Sequence, residues 1–171
     1  ARAAMAKNWI AENGVLTGAA DGGTIGSAKN YENFELILDW KTEGEAAMGI
    51  RSIPQIALGG KNSGALTGNM LHDNAAPKAA ANGPQEWNTM QVKVVSDRVT
   101  VVLNGVTTAE NVILENACNR EIPAYAEGQI LLIAGNAPLN VREMYIRELP
   151  ATPRFELSEE EAADGFEVLF D

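Results

Sequence analysis

Phe34-Glu-Leu-Ile-Leu-Asp-Trp40 is the stretch whose reading decides the fold. Phe34, Leu36, Leu38 and Trp40 fall on one side of an extended chain, and Glu35, Ile37 and Asp39 on the other. Successive side chains of a strand point to opposite faces, so this is a strand with one buried face. The same period recurs outward from it. Trp87–Val95 and Arg98–Leu103 read as two more strands, joined at Ser96-Asp97, a loop short enough for a tight hairpin. Asn104-Gly105 predicts a second tight turn, because both residues tolerate positive φ. Gln129–Ala134 and Leu139–Leu149 form a further pair across Gly135-Asn136-Ala137-Pro138. Gly14–Thr17, Ala47–Arg51 and Ile53–Leu58 are shorter candidates. Gly59–Pro84, rich in Gly, Asn and Ala, reads as one long loop with a short strand near Ala65–Thr67. Long amphipathic helices are missing from 9–149, so the expected fold is all-β, a jelly-roll sandwich of two antiparallel sheets.

The bulk properties narrow the partners. The chain has 171 residues, 46% of them hydrophobic, enough for one substantial core. Its net charge is −10 and no basic cluster occurs, which argues against nucleic acid and anionic membrane. No apolar run approaches the roughly 18 residues of a membrane span. Cys118 is the single cysteine, so there is no internal disulfide, and it reads as a buried small hydrophobe. His72 is the single histidine and lies in the long loop. Asp73-Asn74 has poor ligand spacing for calcium, and the Gly-rich Asp21-Gly22-Gly23 opens no helix that could cradle a phosphate. No metal or cofactor is implied.

Composition changes after Pro150. Pro150-Ala-Thr-Pro153 reads as a linker, and Ser158 with Glu161 fits a capping box opening a short helix that ends near Gly165. Phe166, Val168 and Phe170 then alternate as in a strand. The expected organisation is a jelly-roll domain over 1–149 that lacks its own first strand, because 1–12 shows none. Residues 150–171 follow as linker, short helix and strand. The strand Phe166–Phe170 is expected to pair in the sheet, in its own chain or a neighbouring molecule, where an edge is otherwise open.

Several stretches, in order, resemble the 3-keto-disaccharide hydrolase domain family, a concanavalin-like jelly roll. They are Trp9 to Gly18, Tyr31-Glu-Asn-Phe-Glu-Leu-Ile-Leu-Asp-Trp40, Gly49-Ile50 with Arg51-Ser-Ile-Pro-Gln55, Glu86-Trp-Asn88, Val99 to Gly105, Leu114-Glu-Asn116 with Arg120, and Arg142 to Leu149. The tail Leu157-Ser-Glu-Glu-Glu…Gly165-Phe-Glu-Val-Leu-Phe-Asp171 is similar to the family's usual opening, here at the far end. That placement implies the start of a second, homologous domain. The resemblance also implies a carbohydrate partner and a secreted or periplasmic location.

The chain departs from the family where polar groups would stand on the concave sheet. Ala47-Met48 replaces an Asn-Ser, Ala57-Leu58 a polar residue with an acidic partner, Ile133-Ala-Gly135-Asn136 a Gln-x-His-Gly run, and Asn119 an acidic residue. Acid–base chemistry on a sugar needs at least one positioned proton donor or acceptor. In the mechanism that the resemblance implies, a 3-keto group acidifies the neighbouring C–H, a base eliminates the glycosidic group, and water adds.

The candidate base or polariser is Glu86, Glu115 or His72, with Arg51, Gln55, Asn88, Asn116 and Arg120 left to bind substrate. Each has a plainer reading. Arg51 could be a partly buried arginine paired with Glu35 or Asp39. Glu115 and Arg120 could pair across a loop. His72 could be a solvated loop residue. Trp87 is expected in the core rather than as a sugar-stacking platform. Three functions stay open: a glycoside hydrolase, weakly active or inactive in this copy; a non-catalytic glycan-binding module; and a domain that only packs against a neighbour.

Overall fold

The computed structural model describes residues 8–67, 80–116, 119, 121–152 and 159–167. In order, its strands are β1 (Trp9–Glu12), β2 (Val15–Gly18), β3 (Gly23–Gly26), β4 (Phe34–Lys41), β5 (Ala46–Gly49), β6 (Gln55–Leu58), β7 (Leu66–Thr67), β8 (Asn88–Val95), β9 (Arg98–Leu103), β10 (Val106–Ile113), β11 (Leu131–Ala134) and β12 (Leu139–Glu148). A five-residue helical segment, α1 (Glu159–Ala163), follows. Every strand pairing is antiparallel, in a seven-stranded sheet ordered β1-β2-β12-β4-β8-β9-β10 and a five-stranded sheet ordered β3-β11-β5-β6-β7.

The alternation read in the sequence sets the layers. Phe34, Leu36, Leu38 and Trp40 are each at most 1% exposed and meet Met90, Val92 and Val94 of β8 across the same face. Met48, Ile56, Leu58, Leu132 and Leu139 fill the core with them, from both sheets. Apolar burial on this scale is the main stabilising contribution. The two tight turns form where Asn, Gly and Ser accept positive φ: Ser96 at 53°, Asn104 at 49° and Gly105 at 81°.

Three expectations are corrected here. Residues 9–12 do supply an edge strand, because Asn13 and Gly14, at φ 51° and 78°, turn Trp9–Glu12 back onto β2. Trp9 plugs into the core, its ring so close to Gly18 that a Cβ there would meet it at 2.7 Å. Trp87 is not core: it is half-buried on the outer face of the seven-stranded sheet, with the Arg142 guanidinium carbon 4.0 Å from its ring centroid and the Lys41 ammonium at 4.9 Å. Arg51 pairs with neither Glu35 nor Asp39, which are held instead by Arg147 with Lys93 and by Arg142.

Arg51 ties the two sheets together at one end. It is 2% exposed and follows β5 in a left-handed turn, with φ 49° at Arg51 and 75° at Ser52. Its Nε donates to the Glu32 carbonyl at 2.8 Å, and Nη1 donates to the Ser96 carbonyl at 2.6 Å and the Tyr125 carbonyl at 3.3 Å. Nη2 donates to the Glu32 carbonyl and to Asn33 Oδ1, the latter at 3.2 Å. Asn33 Oδ1 also accepts from the Ser96 amide at 2.8 Å, while its Nδ2 donates to the Pro150 carbonyl at 2.8 Å and Thr152 Oγ1 at 3.0 Å. Burial pulls the Arg51 guanidinium below its ordinary pKa, opposed by the charges of Glu32 and Asp97.

Replacing Arg51 by Ala strands buried carbonyls, so the chain should lose about 2–4 kcal/mol in urea unfolding. Arg51→Lys should recover little of that, because a point ammonium cannot span acceptors arrayed around a planar fork.

Candidate functional site

The sheets divide the ionisable groups unequally. The strands of the five-stranded sheet read Gly-Thr-Ile-Gly, Ala-Ala-Met-Gly, Gln-Ile-Ala-Leu, Leu-Thr and Leu-Leu-Ile-Ala. None carries an acidic, basic, histidine, tyrosine or cysteine side chain. Among the described residues every strand-borne charge lies on the seven-stranded sheet.

Register shows what the outer face of the five-stranded sheet presents. Met48, Ile56, Leu58, Leu132 and Ala134 point into the core, so their neighbours point out. Ile133 lies opposite Thr24 on one side and Ala47 on the other, and Ala47 lies opposite Ala57. The result is one cross-strand row, Thr24–Ile133–Ala47–Ala57. Three positions separated widely in sequence, each changed from the polar pattern of the resembling family, are thus direct neighbours. The next row runs Gly26–Leu131–Gly49–Gln55–Thr67. Gln55 and Thr67 are its hydrogen-bonding side chains, with Thr67 Oγ1 donating to the Gln55 carbonyl at 3.3 Å. Gly135, where the family pattern has a histidine, is closed to any side chain: a Cβ there would sit 2.1 Å from the Glu45 carbonyl oxygen. Glu45 itself, absent from the sequence candidates, lies at the rim against Gly60. No sequence signal marked it, because a glutamate in a Gly-Glu loop before a strand is ordinary.

The other predicted site residues do not converge on this face. Phe34 pairs with Val94 and Trp40 with Asn88, so these two ends of β4 are six residues, about 20 Å, apart. The Arg51 cage, through Asn33 and Ser96, is at the first end. Glu115 and Asn116 join it there, since the Leu114 amide donates to the Asp97 carbonyl at 2.7 Å. Both are buried, at 7% and 2% exposure. Asn116 Oδ1 accepts from the Asn119 amide at 3.0 Å and Nδ2 donates to the Pro123 carbonyl at 3.4 Å, which closes a loop.

Glu86 and Asn88 are at the second end. Glu86 is exposed, and its carboxylate accepts from the Gly83 amide at 3.0 Å. Asn88 is buried, with Oδ1 accepting from the Asn82 amide at 2.7 Å and Asn104 Nδ2 at 2.9 Å, and Nδ2 donating to the Glu86 carbonyl at 3.1 Å. It floors a cleft of about 210 Å³ lined also by Trp40, Glu43, Gly60 and Ser63. His72 and Arg120 lie outside the described residues, as does the suggested Glu115–Arg120 pair. Glu86 and Glu115 are therefore too far apart to act on one bond, where paired carboxyl groups need separations below about 10 Å.

Shifted titrations tell the same story. A hydrogen bond from Arg147, aided by Lys93, holds the Glu35 carboxyl below its ordinary range. A hydrogen bond with Glu148 raises Lys29, and one with Glu143 raises Tyr145. Each belongs to a surface pair, and none lies on the five-stranded sheet. Among the described residues no cluster of His, Cys, Asp and Glu could hold a metal, and no helix is long and apolar enough to cross a membrane.

Two crystal structures from Parabacteroides distasonis ATCC 8503, each named "putative glycosyl hydrolase", share the fold. One superposes with TM-score 0.65 at 23% identity, over 82% of this chain and 90% of that one. The other gives TM-score 0.65 at 19% identity, over 85% of each chain. A carbohydrate binding module from Bacillus subtilis gives TM-score 0.54 at 15% identity, over 82% of this chain and 91% of that one. No curated protein matches the chain significantly. The model of the 3-keto-alpha-glucoside-1,2-lyase-like domain matches residues 2–147, and with the order of motifs and the two-sheet jelly roll already in place, the chain belongs to that family.

Proposed function

We propose that this chain is a carbohydrate-binding copy of the 3-keto-glucoside-processing domain, one that holds a sugar on the outer face of the five-stranded sheet without cleaving it. The observation that carries this reading is the row Thr24–Ile133–Ala47–Ala57, set in a sheet whose strands bear no ionisable side chain. Elimination from a 3-keto-glycoside requires a base at the acidified C–H and a proton for the leaving oxygen. A positioned general acid or base contributes about 10²–10⁴-fold each, and the strands of this face carry neither. Arg51 cannot stand in as an electrophile, since its donors are committed to carbonyls and Asn33.

What the face retains suits binding. Gln55 and Thr67 can hydrogen-bond hydroxyls, while Leu131, Ile133, Ala47 and Ala57 form a flat apolar floor for the C–H side of a sugar ring. The fold's recurrence in a carbohydrate binding module and in proteins named as glycosyl hydrolases is compatible with either outcome for this architecture. The separation of chemistry from binding therefore rests on the side chains. In this reading catalysis belongs to another copy. The parent protein is read as exported, as the family resemblance implies.

Incubated with 3-keto-glycosides, the purified chain should release no aglycone above the buffer rate. Turnover that disappears in Glu86→Ala, Glu115→Gln or Glu45→Gln would overturn the proposal. In calorimetric titration with the same sugars, saturable binding is expected. Gln55→Ala should weaken it about fivefold, the loss of one neutral hydrogen bond. A chain that binds no sugar at all would leave only the packing role.

A further inference from the structure

β12 is paired on both sides only for its first part. On the β4 side its pairing extends to Glu148. On the β2 side it stops at Val141. Between Arg142 and Tyr145 the register shifts, with Glu143 at φ 48°, and the β1–β2 hairpin has turned away at Asn13-Gly14. Among the described residues nothing pairs with Met144–Glu148 on that side, so about 17 Å of backbone edge is open.

The side chains along this edge are also incomplete. Ile146 lies opposite Leu36, a core residue, so Ile146 and, two residues before it, Met144 face inward. Leu139 and Val141, the inward residues earlier on the same strand, are 0% and 1% exposed, yet Met144 and Ile146 are 41% and 37% exposed. They border a groove of about 200 Å³ that opens between the sheets, walled by Leu16 and Leu36 on one side and by Ile25, Ile130 and Leu132 on the other. A sandwich leaves such a gap where one strand of a layer is missing.

The chain also carries a segment of matching pattern. Phe166, Val168 and Phe170 alternate with Glu167 and Leu169 over five residues, the length of the open edge. Phe166 is 63% exposed and outside any strand, so it does not fill the groove of its own chain, and residues 168–171 lie outside the described ones. We propose that the open edge of β12 receives the Phe166–Phe170 segment of a second copy of this chain as an added antiparallel strand.

One register matches the alternation at four of the five positions, Phe166 falling opposite Glu148 at the end of the edge. With Val168 opposite Ile146, Phe170 falls opposite Met144, and both turn into the groove. Glu167 falls opposite Arg147 on the outer face, where the arginine side chain is 73% exposed, and Leu169 falls opposite Tyr145, itself 63% exposed. Backbone hydrogen bonds supply the addition, and the alternate pockets set its register. Groove and segment are different surfaces of one molecule, so two copies can exchange segments reciprocally and close as a dimer.

Sedimentation equilibrium of the full chain tests this. The mass should double between about 10 µM and 1 mM, the range expected of so small an interface. Val168→Pro removes a ladder donor in the segment and leaves the sandwich untouched, and Ile146→Lys charges the groove. Each should raise the dissociation constant at least tenfold while circular dichroism stays that of the parent. A monomer at all concentrations, whether its groove is empty or filled by its own tail, would overturn the proposal, as would a dimer that neither variant weakens.

Discussion

The arginine cage at residue 51 is the constraint on which the arrangement of this domain depends. Its five donors reach the approach to β4, the β8–β9 turn and the 114–128 connection at once, and Asn33 carries the same network on to Pro150 and Thr152. A buried guanidinium is costly unless every donor is satisfied, so the loops at this end have little freedom to rearrange. The close approach of Gly128 completes the enclosure, since a Cβ there would meet the Arg51 backbone at 2.6 Å. A cation that sequence alone would offer to a ligand is thereby consumed in holding the two sheets in register.

The strands of the five-stranded sheet carry no charge among the described residues, while the seven-stranded sheet collects the ion pairs: Glu35 with Arg147 and Lys93, and Asp39 with Arg142. These pairs sit on a solvated surface and each contributes little to stability. Their arrangement explains why Trp87, stacked against Arg142 and Lys41, is not an open platform. The domain keeps the architecture of a carbohydrate-processing family and, in the function proposed, presents a neutral surface where proton transfer would have to occur.

Much of the fold was legible in the sequence because period-two alternation is a direct image of a half-buried strand. Phe34–Lys41, Asn88–Val95 and Leu139–Glu148 stand where the pattern put them. Trp9–Glu12 and Gly23–Gly26 were missed for physical reasons. The first is a short edge strand whose single buried residue is Trp9, and the second has only Ile25 to show its orientation. Trp87 was misread by its residue type, although the alternation puts it on the face of Thr89, Gln91 and Lys93 and not with Met90, Val92 and Val94. The site was legible only in part. Each polar loss could be read singly at Ala47, Ala57 and Ile133, but their adjacency depends on the register β11-β5-β6, which no linear spacing encodes. Asn88 and Asn116 looked like ligands because their role, satisfying loop amides and carbonyls, exists only once the chain has folded.

The central claim is that the neutral row is the sugar surface and that binding there stops short of cleavage. An amide-resolved NMR titration with a 3-keto-glucoside reads both halves in one sample. The account predicts saturable shifts at Ala47, Gln55, Ala57 and Ile133, with the anomeric signal of the sugar unchanged over the course of the experiment. Shifts confined to the 80–88 loop or to the 114–128 connection, or decay of the anomeric signal as aglycone appears, would contradict it.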